Sequence, residues 1–203
     1  MTDAERGLAR AVRVMDRLRS PGGCPWDAEQ THSSLAKYLI EESYEAVDAI
    51  DGGDREHLRE ELGDVLLQVL FHARIAAEHA VEPFDIDDIA DVLCDKLERR
   101  HPHVFGDTTV SGADEVNANW ETIKAAEKQR TGPFDGITWS APALSVATAV
   151  VRRERRAGES VSVAGDDDAG AIAADLLGVV RRAVDLGVDP ETVLRSALRA
   201  ATV

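Results

Sequence analysis

Apolar residues recur at helical spacing along nearly the whole chain, and alternating β-branched runs are scarce. That pattern removes sandwiches, barrels and open sheets, and leaves an all-α fold. Leu8, Val12, Met15 and Leu18 form the first stripe, which Pro21-Gly22-Gly23 stops. A loop through Cys24-Pro25-Trp26-Asp27 leads to a second helix over about 33–50, broken by Gly52-Gly53. Asp54 is the expected N-cap of a long third helix reaching about His79, and Asp85 caps a fourth that finishes before Pro102. Residues 101–113 read as loop, and further helices are expected over about 114–130 and 142–156. Residues 157–170 are small, polar and acidic, the composition of a linker. Two helices close the chain, the last opened by Asp189-Pro190-Glu191. The expected architecture is a four-helix bundle over residues 1–130 with a C-terminal helical tail over 131–203.

Charge narrows the partners. Against 23 basic side chains stand 38 acidic ones, which repels nucleic-acid backbones and anionic membranes. No apolar run approaches the ~20 residues that span a bilayer. Residues 1–19 alternate charged and apolar side chains and do not read as a leader. Cys24 and Cys94 make no disulfide framework and no metal-type pair. A cytoplasmic protein is expected.

Residues 41–64 carry ten acids (Glu41, Glu42, Glu45, Asp48, Asp51, Asp54, Glu56, Glu60, Glu61 and Asp64) against Arg55 and Arg59. Glu42 and Glu45, and likewise Glu61 and Asp64, are i,i+3 neighbours, and Glu41 and Glu45 are i,i+4 neighbours. Like charges so placed each cost a helix ~0.2–0.5 kcal/mol. On the second helix the acids lie opposite Ala36, Ile40, Ser43 and Val47, as on a solvated face. The third helix is apolar nearly all round, and Glu61 and Asp64 share an arc with Phe71 and Ile75. Unpaired buried carboxylates are expensive. Either that helix end is exposed, or a cation fills the space between the two helices. An all-carboxylate donor set suits Mg²⁺ or Mn²⁺ rather than Zn²⁺. Mg²⁺ shares itself with substrate phosphates, so the set reads as a phosphate-handling site, and two such ions could screen a polyphosphate and acidify a water.

Glu41-Glu42-x-x-Glu45, fifteen residues, then Glu61-x-x-Asp64 resembles the EExxE…ExxD signature of the all-α nucleoside triphosphate pyrophosphohydrolases. Three flanking segments narrow the resemblance to the MazG family: Gly-Cys-Pro-Trp-Asp-x-x-Gln-Thr at 23–31, Asp-Lys-Leu-Glu-Arg-Arg-His-Pro-His-Val-Phe at 95–105 and Trp-Glu-x-Ile-Lys at 120–124. The resemblance implies Mg²⁺-dependent hydrolysis of (deoxy)nucleoside triphosphates between the α and β phosphates, and an obligate dimer whose paired helices complete the bundle. By position it implies metal ligands at Glu42, Glu45, Glu61 and Asp64. Glu41 becomes a supporting ligand or the group that orients the attacking water. Lys96, Arg99 and Arg100 would clamp phosphates, although basic residues ahead of Pro102 also complement a helix dipole. Trp120 would stack on the base and Lys124 reach a phosphate. Trp26 and Asp27 fit a helix-entry clamp or a base pocket, and His101 and His103 shape a loop.

The chain departs from two-copy members of that family. Asp64-Val-Leu-Leu-x-Val faintly matches Asp175-Leu-Leu-Gly-Val-Val, but Ile172 stands where Glu61 would be. The second half therefore reads as a vestigial copy unable to bind metal, serving packing or oligomer support. Two other readings stay open: a di-iron bundle using Glu29-x-x-His32 and Glu98-x-x-His101, and a non-catalytic helical dimerisation or regulatory module.

Overall fold

The computed structural model describes residues 7–127, 132–163, 165 and 167–202, without the side chains of residues 121 and 125. Among the described residues every regular element is helical, as the periodicity predicts. Two compact units divide between Ser111 and Gly112.

The first unit opens with α1 (Leu8–Arg19). A five-residue helix, α2 (Pro25–Glu29), follows where the sequence reads as loop, because a single turn carries no period and Pro25 pre-sets its φ. Gly23 lets that entry fold back on α1: a Cβ there would lie 2.2 Å from the Leu18 carbonyl oxygen. Arg19 then ties the entry down, donating to the carbonyls of Asp27 (2.6 Å) and Gln30 (3.0 Å) and pairing with Glu78 (2.9 Å). Trp26 packs edge-on against Tyr38 and Phe71, with ring centroids 6.2 and 6.4 Å apart. The Trp-Asp motif therefore acts as a helix-entry clamp.

Thr31 and Ser34 form a capping box that starts α3 (His32–Gly52). Gly53 ends it in the left-handed region at φ 71°, where glycine carries no Cβ penalty. The Asp54 carboxylate accepts from the amides of Glu56 and His57 and starts α4 (Arg55–Ala76). α3 and α4 thus run as an antiparallel hairpin, the most extensively packed helix pair of the unit. α1 and α5 (Ile86–Arg100) pack on α4, and α5 starts at an Asp85/Asp88 capping box. A short α6 (Pro102–Phe105) interrupts the expected loop. Met15, Leu35, Leu70 and Phe71 form the core, with Tyr38, Ile75 and Ile86 packed against it. Truncating a buried Leu such as Leu35 to Ala costs about 2–5 kcal/mol.

One expectation about α3 is overturned. Its packed face is Leu35, Ala46 and Ala49, all buried, and Glu42 is phased with them. Ile40 on the opposite side is 60% exposed. The small alanines at 46 and 49 let two long helices approach closely, and Ile40 is left outside.

The second unit holds α7 (Ala113–Glu127), α8 (Ala143–Ala157), α9 (Asp168–Asp185) and α10 (Pro190–Thr202). The expected extension of α7 to residue 130, and part of the 157–170 linker, lie outside the described residues. α8, α9 and α10 pack on one another around Val151, Leu177 and Val180. Among the described residues, no helix is long and apolar enough to cross a membrane.

Candidate metal centre

The antiparallel α3–α4 hairpin decides which acids meet. Its turn at Gly52-Gly53-Asp54 sets Glu42 and Glu45 of α3 beside Glu61 of α4. One carboxylate oxygen from each lies within 4.8 Å of the others, the one such convergence of three metal-type ligands among the described residues. Glu45 is exposed, Glu42 half-buried and Glu61 only 8% exposed. Of the two alternatives left by the sequence, an exposed helix end is therefore excluded at Glu61.

Asp64 lies outside that trio but close to it. Burial, followed by the negative charges of Asp64 and Glu45, a hydrogen bond with Glu45 and the charge of Glu41, pushes the Glu42 carboxyl above its ordinary pKa. Asp64 and Glu41 thus both act on Glu42 through their charge, and Glu41 is exposed.

The local cation count from the sequence missed His57. Its Nε2 lies 2.9 Å from Glu61 Oε1, at the i,i+4 spacing that could have announced it. The other oxygen, Glu61 Oε2, is buried with no hydrogen-bond partner among the described residues. A buried carboxylate with one orphaned oxygen, converging with two further carboxylates, is what a divalent cation with oxygen preference would satisfy. The donor set fits such an ion, with Glu42, Glu45 and Glu61 as the converging ligands.

Gln68 was also missed. It is 4% exposed, one helical turn beyond Asp64, and its Oε1 is the other buried oxygen without a partner. Nothing in the sequence marks it except a polar residue within an otherwise apolar run.

The remaining candidates are less clustered. Lys96 and Arg100 are half-buried and Arg99 exposed on the C-terminal half of α5, where the arginines complement the helix dipole. Trp120 and Lys124 lie on α7 in the second unit, with Lys124 Nζ 4.5 Å above the Trp120 ring. The di-iron spacing does not build a core site. Glu29 ends α2, His32 opens α3 with its Nδ1 2.7 Å from that of His72, and His101 closes α5 with its ring bonded to the Leu97 carbonyl.

Comparison with known proteins agrees with this geometry. Residues 30–105 match the family described as the MazG nucleotide pyrophosphohydrolase domain, a match that spans the α3–α4 hairpin and α5. The chain is 50% identical over 191 residues to the uncharacterized 26.1 kDa protein in the blaB 3' region of Streptomyces cacaoi, covering 94% of this chain and 77% of that one. It is 43% identical to the nucleoside triphosphate pyrophosphohydrolase of Mycobacterium tuberculosis, covering 97% of this chain and 57% of that one. To the nucleoside triphosphate pyrophosphohydrolase of Escherichia coli K12 it is 47% identical, over 72% of this chain and 56% of that one. The chain thus spans little more than half the length of the relatives that carry that name.

Proposed function

This chain belongs to the MazG family, and from that premise we propose that it hydrolyses (deoxy)nucleoside triphosphates between the α and β phosphates, releasing nucleoside monophosphate and pyrophosphate. The observation that carries the reading is the convergence of Glu42, Glu45 and Glu61 with one carboxylate oxygen buried and unpaired. Relatives named for this activity at 43% and 47% identity support it.

Glu42, Glu45, Glu61 and Asp64 would hold Mg²⁺, with Mn²⁺ as substitute. The ion would neutralise polyphosphate charge and lower the pKa of a bound water. The protein's own share is arrangement. The hairpin fixes two carboxylates of one helix against a third from its neighbour, so the ligands need no reorganisation. His57 holds Glu61 in one rotamer through a single oxygen and leaves the other for the ion. Glu41 serves as a supporting ligand or orients the attacking water. Lys96, Arg99 and Arg100 serve as a clamp for phosphate charge the metal does not cover.

A homodimer is part of the reading. Ile40 and Leu62 leave apolar surface on the hairpin at 60% and 51% exposure, which a second copy would cover. Housekeeping of a cytoplasmic nucleotide pool is the role that follows.

The test is a panel of (d)NTPs with Mg²⁺ or Mn²⁺, scoring pyrophosphate against orthophosphate. Pyrophosphate release that stops in excess EDTA is expected, together with a Mg²⁺-dependent rise in Tm worth about 2.7 kcal/mol at a hundredfold excess over Kd. Turnover unchanged by chelator would defeat the metal assignment. Orthophosphate as product would defeat the bond assignment. No turnover, with Glu42→Gln and Glu61→Gln only raising Tm, would favour a non-catalytic dimerisation module.

A further inference from the structure

Along α4, the buried arc that carries Glu61 and Asp64 continues to Gln68 before reaching Phe71. Burying a carboxamide oxygen without a donor costs about 1–3 kcal/mol, and Gln68 Oε1 has none. Core packing does not ask for a glutamine at a position that is 4% exposed: leucine or methionine would fill the volume without an orphaned polar atom. Gln68 and Glu61 own the two unpartnered buried side-chain oxygens found among the described residues, and both sit on one arc of one helix. The oxygen at Glu61 suits a cation. The oxygen at Gln68 is neutral, lies a turn away and needs a hydrogen.

We propose that Gln68 is a specificity-determining residue whose carboxamide oxygen accepts a hydrogen bond from a sugar hydroxyl of the bound nucleotide; the inference rests on the hydrolase reading above. Four residues separate Gln68 from Asp64, which is about 6 Å of rise along the helix. With phosphates held at the level of Glu61 and Asp64, the unit bonded directly to the α-phosphate is the sugar, and a nucleotide running toward the C-terminal end of α4 would bring this unit level with Gln68. Ionised phosphate oxygens cannot donate a hydrogen bond, and a neutral amide is a poorer cation ligand than the neighbouring carboxylates. A hydroxyl can donate to Oε1, and the amide hydrogens of the same side chain can return a bond.

The experiment compares kcat/KM for the ribo-, 2′-deoxy-, 3′-deoxy- and 2′,3′-dideoxynucleoside triphosphates of one base, in wild type and in Gln68→Met, with Gln68→Leu as a second replacement. The wild type is expected to favour hydroxyl-bearing substrates over the dideoxy compound by about tenfold. Gln68→Met is expected to erase that preference by lowering kcat/KM for hydroxyl-bearing substrates while leaving the dideoxy substrate unchanged. Its Tm should be equal or higher, because an orphaned polar atom has been removed. A loss of equal size on all four substrates would overturn the proposal and assign Gln68 to the metal cluster, the base or the packing. No loss on any substrate would overturn it as well. A wild type that releases pyrophosphate from none of them would defeat the hydrolase reading and this inference with it, whereas an active wild type with an indifferent Gln68→Met defeats the sugar contact alone.

Discussion

Each unit of the molecule buries a glutamate on its principal helix pair, and the two are treated oppositely. In the second unit Glu154 of α8 is 2% exposed and fully engaged. Arg181 of α9 donates to it at 2.7 and 3.1 Å, the Val161 amide adds a third bond, and the arginine also reaches the Val161 carbonyl. The hydrogen bond from Arg181 is the main reason the Glu154 carboxyl lies below its ordinary pKa. In the first unit Glu61 is also buried, at 8% exposure, yet it has one half-exposed histidine on one oxygen and two more carboxylates close by. Burial of a charge is therefore not the mark of a site. A buried carboxylate whose partner is an arginine is architecture, and one whose neighbours are carboxylates could hold a cation the chain does not supply.

The contrast breaks most sharply by mutation. Glu61→Gln should lower kcat/KM by at least about a thousandfold, ~4 kcal/mol of transition-state stabilisation. The change leaves the fold intact and relieves repulsion with Glu42 and Glu45, so Tm should hold or rise. Pyrophosphate release and a thermal melt on the same preparation check both halves. Activity retained within a few-fold would make Glu61 as architectural as Glu154.

The matching change in the second unit acts on stability. Glu154→Gln leaves Arg181 partly buried without its counter-charge, which costs about 3 kcal/mol by the measure of broken buried pairs. Chemical denaturation read through α8 and α9 amide exchange is the measurement. A double replacement, Glu154→Leu with Arg181→Met, should recover much of the loss, because the cost lies in the orphaned partner rather than in the missing bridge. No loss in the single variant would mean that Arg181 finds water.

The Glu61 side of this contrast could be read from the sequence in part, the Glu154–Arg181 side could not, and the difference has a physical reason. Asp54, Asp85 and Asp189 all cap helices through their carboxylates, because capping is a local bond between a side chain and amides two or three residues on. Glu61 and Asp64 on the arc of Phe71 were also legible, since α4 is apolar enough on its other sides for burial to follow. α3 was not. Helical phasing pointed to Ile40 and Val47, whereas the packed face is Leu35, Ala46 and Ala49, where two small side chains let the helices approach closely. That is why Glu42 read as solvated when it faces α4. Gln68 and His57 were missed for a related reason: their meaning lies in whether a partner is present across space, which spacing along one helix does not record.

Acid should separate the two units by window. His72 of α4 lies below its ordinary pKa of 6.5 through burial and then the neighbouring His32. Its folded state therefore binds fewer protons than the unfolded chain, so its contribution is complete above 6.5 and is lost as pH falls toward the depressed value. Glu154 lies below 4.5, so its contribution is complete above 4.5 and falls away only beneath that. Glu42, raised above 4.5, works the other way, since acidification relieves its charge. Amide exchange across pH 7 to 4.5 should show α9 unchanged and α4 weakening first. His32→Phe should flatten that early loss, and Glu42→Gln should steepen it. Parallel curves for α4 and α9 would remove the distinction.

The gentlest test concerns the second unit, where no three metal-type ligands converge among the described residues. The faint repeat aligns Ile172 with Glu61 and Asp175 with Asp64. Ile172 is 60% exposed and Asp175 is exposed as well, while Leu177 and Val180 make the packed face of α9. Restoring the motif with Ile172→Glu would set an i,i+3 carboxylate pair on open surface, where water already solvates both charges. Its effect on stability should stay within about 0.5 kcal/mol, and calorimetric titration with Mn²⁺ should show no added binding. A new saturable Mn²⁺ site on that variant would mean that sequence spacing alone builds the centre. Its absence would place the cause where the α3–α4 hairpin places it, in a third carboxylate from a second helix and in the burial that leaves Glu61 Oε2 without any other partner.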